Sequence, residues 1–229
     1  MRRNAQSIDR PVMLPSCAQR ASVAFRLRRP CLRGSQGRLG GIVAALFAAC
    51  GLLASAHAEA TPYEADAAHT SIYFAVAHRN ISFVRGRFQK VAARIDFDAD
   101  AKTGSIVVDV DPASVDTGNG TLDGVLRSSQ FLETETYAGV RFVSGRLVFD
   151  GGTLSAVEGT LWLHGVQRPA TLTADRFVCR EVAFGLARQY VCGGAFHATI
   201  RRSEFGMTRY AADVGDDVRL EINVEGVRK

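Results

Sequence analysis

Residues 217–225 read DVRLEINVE, and this stretch decides the fold. Val218, Leu220, Ile222 and Val224 occupy every second position, and charged or amide side chains fill the positions between them. Successive side chains of a β-strand point to opposite faces of the sheet. The stretch therefore predicts a strand with one apolar face and one polar face.

The same alternation recurs along the chain from residue 70 onward. It is clearest in Ile72-Phe74-Val76, Val91-Ala93-Ile95-Phe97 and Ile106-Val108-Val110. Many one-sided strands in one domain are typical of antiparallel sandwiches and closed barrels. The sequence therefore predicts an all-β domain, with about eight to ten strands counted from its apolar stretches.

Two segments depart from this pattern. Residues 112–137 contain Leu122, Val125, Leu126 and Ser129 at helical spacing, which predicts one short helix packed against the barrel or across its end. Residues 82–98 are long for one strand, and Gly86 in their middle predicts a bulge or bend of the kind found at barrel corners.

The first 58 residues resemble an export signal. The 28 basic and 23 acidic residues of the chain include nine arginines and one aspartate within residues 1–58, so the remainder is mildly acidic. An apolar run at 42–53 is followed by Ala56-His57-Ala58, a small-x-small cleavage pattern. We predict a secretory signal peptide cleaved after Ala58 and a domain over 59–229. An uncleaved anchor, a lipoprotein modified at Cys50 and a start downstream of Met1 remain alternatives.

Cysteine usage agrees with export, because Cys179 and Cys192 are the two cysteines that follow residue 58. They lie at the ends of two apolar stretches that resemble a hairpin, and paired cysteines in an oxidising compartment favour a disulfide. Two buried free thiols are the alternative. The acidic domain has no basic stripe with interleaved aromatic residues, so we expect no nucleic-acid partner.

No catalytic or metal-binding pattern is recognisable. His69, His78, His164 and His197 lack the spacing of common metal motifs, and no Gly-x-Ser-x-Gly is present. We predict no enzyme activity, no metal and no cofactor. A metal site assembled across strands, or a redox role of the cysteine pair, is the alternative.

Aromatic residues at inward positions leave two possibilities open. Twelve positions from Phe74 to Phe205 distribute large rings along the whole predicted sheet. They either pack tightly against one another or surround a lumen wide enough for one slim apolar ligand, as eight-stranded barrels allow. The amino-acid composition is compatible with both a packed core and a ligand-sized lumen.

Several short motifs, taken in their order along the chain, resemble those of a known protein family. The segment from Asp66 to Phe74 (DAAHTSIYF), Val84-Arg-Gly-Arg-Phe88 and Ile95-Asp-Phe-Asp98 come first, and Ser114-Val-Asp-Thr-Gly-Asn119 with Leu126-Arg127-Ser128 follows. Leu163-His164-Gly165-Val166 with Pro169, and Arg202-Ser-Glu-Phe-Gly-Met207, complete the series. Together, over residues 63–227, they resemble the YceI-like, polyisoprenoid-binding family.

The resemblance implies an antiparallel, lipocalin-like β-barrel around a long isoprenoid chain, and export to the periplasm. The stretch 180–190, with its flanking cysteines, departs from the common pattern. We therefore expect a carrier or sequestering protein for an isoprenoid lipid, such as a quinone or polyprenyl chain. A ligand-free barrel acting as a stress-response or interaction module is the alternative.

The expected ligand contacts are inward-facing apolar side chains. They are Ile72, Phe74, Val76, Phe88, Ile95, Phe97, Val108, Val110, Phe142, Leu161, Leu163 and Phe196. By motif alone, His164 and Arg127 are expected near a polar end of the site. We expect a monomer or homodimer, with possible transient contact with a membrane surface.

Overall fold

The computed structural model describes residues 60–229, and the predicted signal peptide lies outside these residues. The strands are β1 (Thr61–Ala65), β2 (Ser71–His78), β3 (Ser82–Phe88), β4 (Val91–Asp98), β5 (Thr103–Val110), β6 (Val115–Asp116), β7 (Val140–Asp150), β8 (Thr153–Leu163), β9 (Val166–Phe184), β10 (Ala187–Arg201) and β11 (Val214–Arg228). One α-helix, α1 (Gly120–Arg127), and two 3-10 turns, Pro112–Ser114 and Arg202–Phe205, complete the described elements.

Eight of these strands close a ring in the order β1-β4-β5-β7-β8-β9-β10-β11, with β11 returning to β1. Every pairing is antiparallel, as hairpin connections allow. The prediction of an all-β, antiparallel, lipocalin-like barrel of about eight strands with a short helix in 112–137 is confirmed. Strand β11 pairs with β1 only through its last residues, and through residues 214–223 it pairs with β2 instead. Strand β3 then pairs with β2, and β6 pairs with β3.

The register of β11 defines two ends of the barrel. At its start Val214 lies opposite His78 of β2, and at its finish Arg228 lies opposite Tyr63 of β1. We call the first the helix end, because α1 lies there, and the second the disulfide end.

Local side-chain hydrogen bonds define α1. Asn119 caps it, since its Oδ1 accepts from the backbone amides of Thr121 and Leu122 at 3.1 and 3.3 Å. The carboxylate of buried Asp123 accepts from the amide and hydroxyl of Thr117 at 2.8 and 2.7 Å, which anchors the helix to the preceding loop. The helix ends at Arg127, so Ser129 lies beyond it.

The bulge or bend predicted at Gly86 is wrong, because residues 82–98 form two strands and the chain turns between them at Gln89 and Lys90. The Lys90 amide donates to Ser114 Oγ, and the Lys90 carbonyl accepts from the Asp111 amide, at 3.0 and 3.1 Å. Gly86 lies within β3 opposite Phe74, whose ring comes within 2.5 Å of the place a Cβ would occupy. Glycine is needed there for close packing, not for a bend.

Strands β9 and β10 form a hairpin longer than the sequence indicated. Cys179 lies directly opposite Cys192, and the two form a disulfide with Cα atoms 4.0 Å apart. The predicted disulfide is confirmed. None of the helices described in residues 60–229 has the length and apolar character to cross a bilayer.

Candidate functional site

The barrel encloses a cavity of about 710 Å³ at the helix end. Its walls are the inward faces of β2, β3, β5 and β7–β11, and α1 contributes Leu122, Val125 and Leu126. The alternation along each strand explains this lining, since every second side chain points inward. Helix α1 completes the wall next to β3, because the sheet beyond β3 consists only of the two-residue strand β6.

Nine of the residues expected at a ligand site line this cavity. They are Ile72, Phe74, Val76, Phe88, Val108, Val110, Phe142, Leu161 and Leu163. They come from β2, β3, β5, β7 and β8, so the fold brings together side chains that are far apart in sequence.

Three others, Ile95, Phe97 and Phe196, line a separate cavity of about 70 Å³ toward the disulfide end. Phe97 packs edge-on against Phe177 at 5.5 Å between ring centroids, beside buried Tyr63 and Cys192. Four residues line both cavities: Ile72, Val108, Leu172 and Ile222. These four form the wall between the two spaces.

His164 and Arg127 lie outside the lining of both cavities. His164 occupies the turn between β8 and β9 with φ of 52°, and its ring packs on Tyr137 at 4.4 Å between centroids. Its Nδ1 lies 2.9 Å from the Phe205 carbonyl, and a carbonyl can only accept, so Nδ1 carries a proton. The histidine ties three loops together instead of facing either cavity. Arg127 ends α1, where its carbonyl accepts from Thr134.

The polar rim of the large cavity was not predicted. His78, Arg79, Asn119, Tyr210 and Asp213 contribute to the lining there. Arg79 Nε donates to Asp213 Oδ1 at 3.0 Å, across 134 residues of sequence. Apart from His78 at the end of β2, these residues lie in turns and loops that only the tertiary structure brings together, so no sequence spacing marks them.

One aromatic contact and one hydrogen bond order the same rim. The Tyr210 hydroxyl donates to Gln130 Oε1 at 2.7 Å. Its ring stacks on Phe131 with an interplanar angle of 17° and 5.9 Å between centroids. The loop before β11 is therefore held against the segment that follows α1.

Arg202 organises that loop from inside the barrel wall. The residue is 4% exposed, and its guanidinium donates to the carbonyls of Met207, Arg209, Val214 and Gly215. Burial lowers the pKa of Arg202, but an arginine pKa begins so high that the group stays charged at neutral pH. The buried guanidinium of Arg202 thus holds residues 207–215, which form one side of the rim.

This arrangement is suited to binding an apolar molecule. The described lining contains no serine or cysteine, and its polar side chains are Thr121, Arg202 and those of the rim. Away from the cavity, half-buried Asp66 and exposed His69 and Glu225 bring three potential ligand atoms within 4.8 Å of one another. The His69 Nδ1–Asp66 Oδ2 contact of 2.6 Å raises the pKa of His69, as an ordinary surface ion pair does.

Comparison with known proteins agrees with this architecture. A UPF0312 protein of Vibrio cholerae is 32% identical over 163 residues, covering 71% of this chain and 84% of the relative. The crystal structure of the Campylobacter jejuni YCEI protein superposes with a TM-score of 0.57 at 27% identity, covering 65% of this chain and 87% of that one.

A more distant structure shares the fold. It is described as a polyisoprenoid binding domain from Saccharophagus degradans, with a TM-score of 0.53 and 16% identity over 74% of this chain and 99% of that domain. The family model of the YceI-like domain matches residues 63–226, which is nearly the whole described region. The chain therefore belongs to the YceI-like family.

Proposed function

We propose that this protein binds an isoprenoid lipid, either a polyprenyl chain or a prenylated quinone, in the large cavity. It acts as a periplasmic carrier or sequestering protein and not as an enzyme. The observation that carries the proposal is the apolar cavity of about 710 Å³ inside the barrel. This volume lies within the range of about 300–1,000 Å³ that is typical of small-molecule binding sites.

Burial supplies the affinity in this proposal. Apolar surface removed from water contributes about 25 cal/mol per Å², so a prenyl tail is retained without directional contacts. The rim side chains His78, Arg79 and Asn119 offer hydrogen bonds that would orient a polar head group. The volume counts against the ligand-free alternative, because self-packed protein interiors hold few voids larger than a water molecule.

Two further observations support the ligand class and the compartment. The Saccharophagus degradans domain, which shares the fold, carries the description polyisoprenoid binding. The Cys179–Cys192 disulfide is typical of proteins in oxidising compartments such as the periplasm.

Mass spectrometry of an organic extract tests the proposal directly. The protein, purified gently from a periplasmic fraction, should release a prenylated lipid in stoichiometric amount. An empty extract, with no binding of added quinones or polyprenyl lipids, would contradict it.

A charged side chain in the lining should abolish this retention. Phe74→Glu places a carboxylate against the tail, and we expect retained lipid to fall about tenfold or more. Tyr73→Glu is the matched control, because Tyr73 is the adjacent residue, faces outward and is 41% exposed. Leu126→Glu on α1 repeats the test without altering a strand. If both lining variants fold and keep the lipid, the ligand lies elsewhere.

A further inference from the structure

Large apolar side chains are exposed around the helix end of the barrel. Ile81, in the turn between β2 and β3, is 85% exposed, and Phe83 beside it is 45% exposed. Val125 and Tyr210 are also partly exposed, and both line the large cavity. Ile81 follows the rim residue Arg79 by two positions, so these exposed apolar side chains border the rim.

Basic groups flank this apolar surface. The Phe83 ring lies between two guanidinium groups, with Arg85 Cζ at 5.5 Å and Arg219 Cζ at 5.6 Å from its centroid. In the described part of the chain neither arginine forms an ion pair with a carboxylate, whereas Arg79 and Arg87 each do. Glu221 lines the same outer groove as Arg85 and Arg219, but neither guanidinium lies within ion-pair distance of its carboxylate, so both remain available to an anion beside Phe83.

We propose that the helix end docks on an anionic lipid bilayer. Ile81 and Phe83 enter the headgroup region, and Arg85 and Arg219 face lipid phosphates. Apolar side chains with adjacent basic groups are the combination that holds a protein surface in a bilayer interface. The cavity then opens onto the membrane, so a prenyl tail passes between bilayer and barrel with little exposure to water. This inference rests on the proposed function, because it names the surface from which the cavity takes its ligand.

The opposite end of the barrel provides a matched comparison. The β9–β10 hairpin carries Phe184 and fully exposed Leu186 at its turn. Val191 of β10 pairs with Val227, at the far end of β11 from Val214. At about 3.3 Å per residue, Val214 and Val227 are roughly 40 Å apart along β11, and the turn with Leu186 lies beyond Val227. Leu186 is therefore as apolar and exposed as Ile81 but remote from the rim.

Co-sedimentation of the purified protein with lipid vesicles tests the proposal. The vesicles contain phosphatidylcholine with or without phosphatidylglycerol. We expect binding to the anionic vesicles, weakened about tenfold in Ile81→Ser and about fivefold for each of Arg85→Ser and Arg219→Ser. Leu186→Ser should bind as the unmodified protein does.

Retained prenyl lipid, measured for each variant in detergent, separates this inference from the proposed function. None of the four substituted residues lines the large cavity, so all variants should retain lipid. A protein that holds lipid but does not bind anionic vesicles would overturn the docking surface alone. Loss of vesicle binding in Leu186→Ser but not in Ile81→Ser would also overturn it, by placing the contact at the disulfide end.

Discussion

Asp216 holds the short helical turn Arg202–Phe205 beside the rim. Its carboxylate accepts from the Ser203 amide at 2.9 Å, the Ser203 hydroxyl at 2.8 Å and Arg201 Nε at 3.0 Å. The backbone amide of Ser203 is the largest cause of a lowered Asp216 pKa, followed by the hydroxyl and then Arg201. The ionised carboxylate therefore supports the segment that also contains Arg202.

The lowered pKa of Asp216 predicts a pH dependence with a definite sign. A carboxyl group whose pKa is lower in the folded state stabilises the protein above its unfolded pKa, which is about 3.9. This contribution is lost as the pH falls below that value and through the folded pKa. Thermal unfolding between neutral and acid pH should show that Asp216→Asn is less stable than the unmodified protein at neutral pH. The variant should also lose less stability on acidification. Asp217→Asn, at the exposed neighbouring position, serves as the control, and equal pH profiles for all three proteins would contradict the prediction.

The β9–β10 hairpin owes part of its stability to the disulfide. Cys179 and Cys192 are separated by 13 residues, and Cys192 is buried with its Sγ 3.5 Å from the Tyr63 hydroxyl. Closing a loop of this size contributes about 3 kcal/mol in the chain-entropy description. We expect reduction to lower the free energy of unfolding by that amount while lipid binding at the helix end persists.

Urea unfolding with and without a thiol reductant measures this effect. The double variant Cys179→Ala/Cys192→Ala should match the reduced protein and be insensitive to the reductant. Equal stability of the oxidised and reduced protein would show that the hairpin is held by its strand pairing alone.

The strands were predictable from sequence where the alternation of apolar and polar side chains is regular. The period of two at Ile72-Phe74-Val76 and at 217–225 identified β2 and β11, and the placement of Cys179 and Cys192 indicated their cross-strand pairing. The turn at Gln89 and Lys90 was not predictable, because Ser114 and Asp111, more than 20 residues later, create it. Neither glycine nor proline marks the site.

The inward-facing apolar residues of the candidate site were predictable for the same reason, whereas the rim residues were not. Alternation shows which side chains face inward, but it says nothing of whether they fill the lumen or surround a cavity. The Arg79–Asp213 contact at the rim joins two turns across 134 residues. His164 belongs to a shared motif, yet its positive φ and its contact with Tyr137 direct it to the loops.

At the scale of the whole barrel, the lumen is divided into two spaces of unequal size. Ile72, Val108, Leu172 and Ile222 line both the large cavity and the small one near the disulfide end. On the proposed function, a tail that enters from the helix end stops at this wall. The wall, and not the total length of the barrel, then limits the length of the bound chain.

Shortening the wall should therefore change which chains are bound. Ile222→Ala joins the two cavities, and we expect the retained prenyl lipids to shift toward longer chains at a cost of about 2 kcal/mol in stability. Leu220→Ala is the matched control, because Leu220 lies on the same strand and lines the large cavity alone. Both proteins would be loaded from a mixture of polyprenyl lipids of different lengths and their extracts compared by mass spectrometry. Identical length distributions would mean that the large cavity ends elsewhere; a shift confined to Ile222→Ala would make the wall the determinant of chain length.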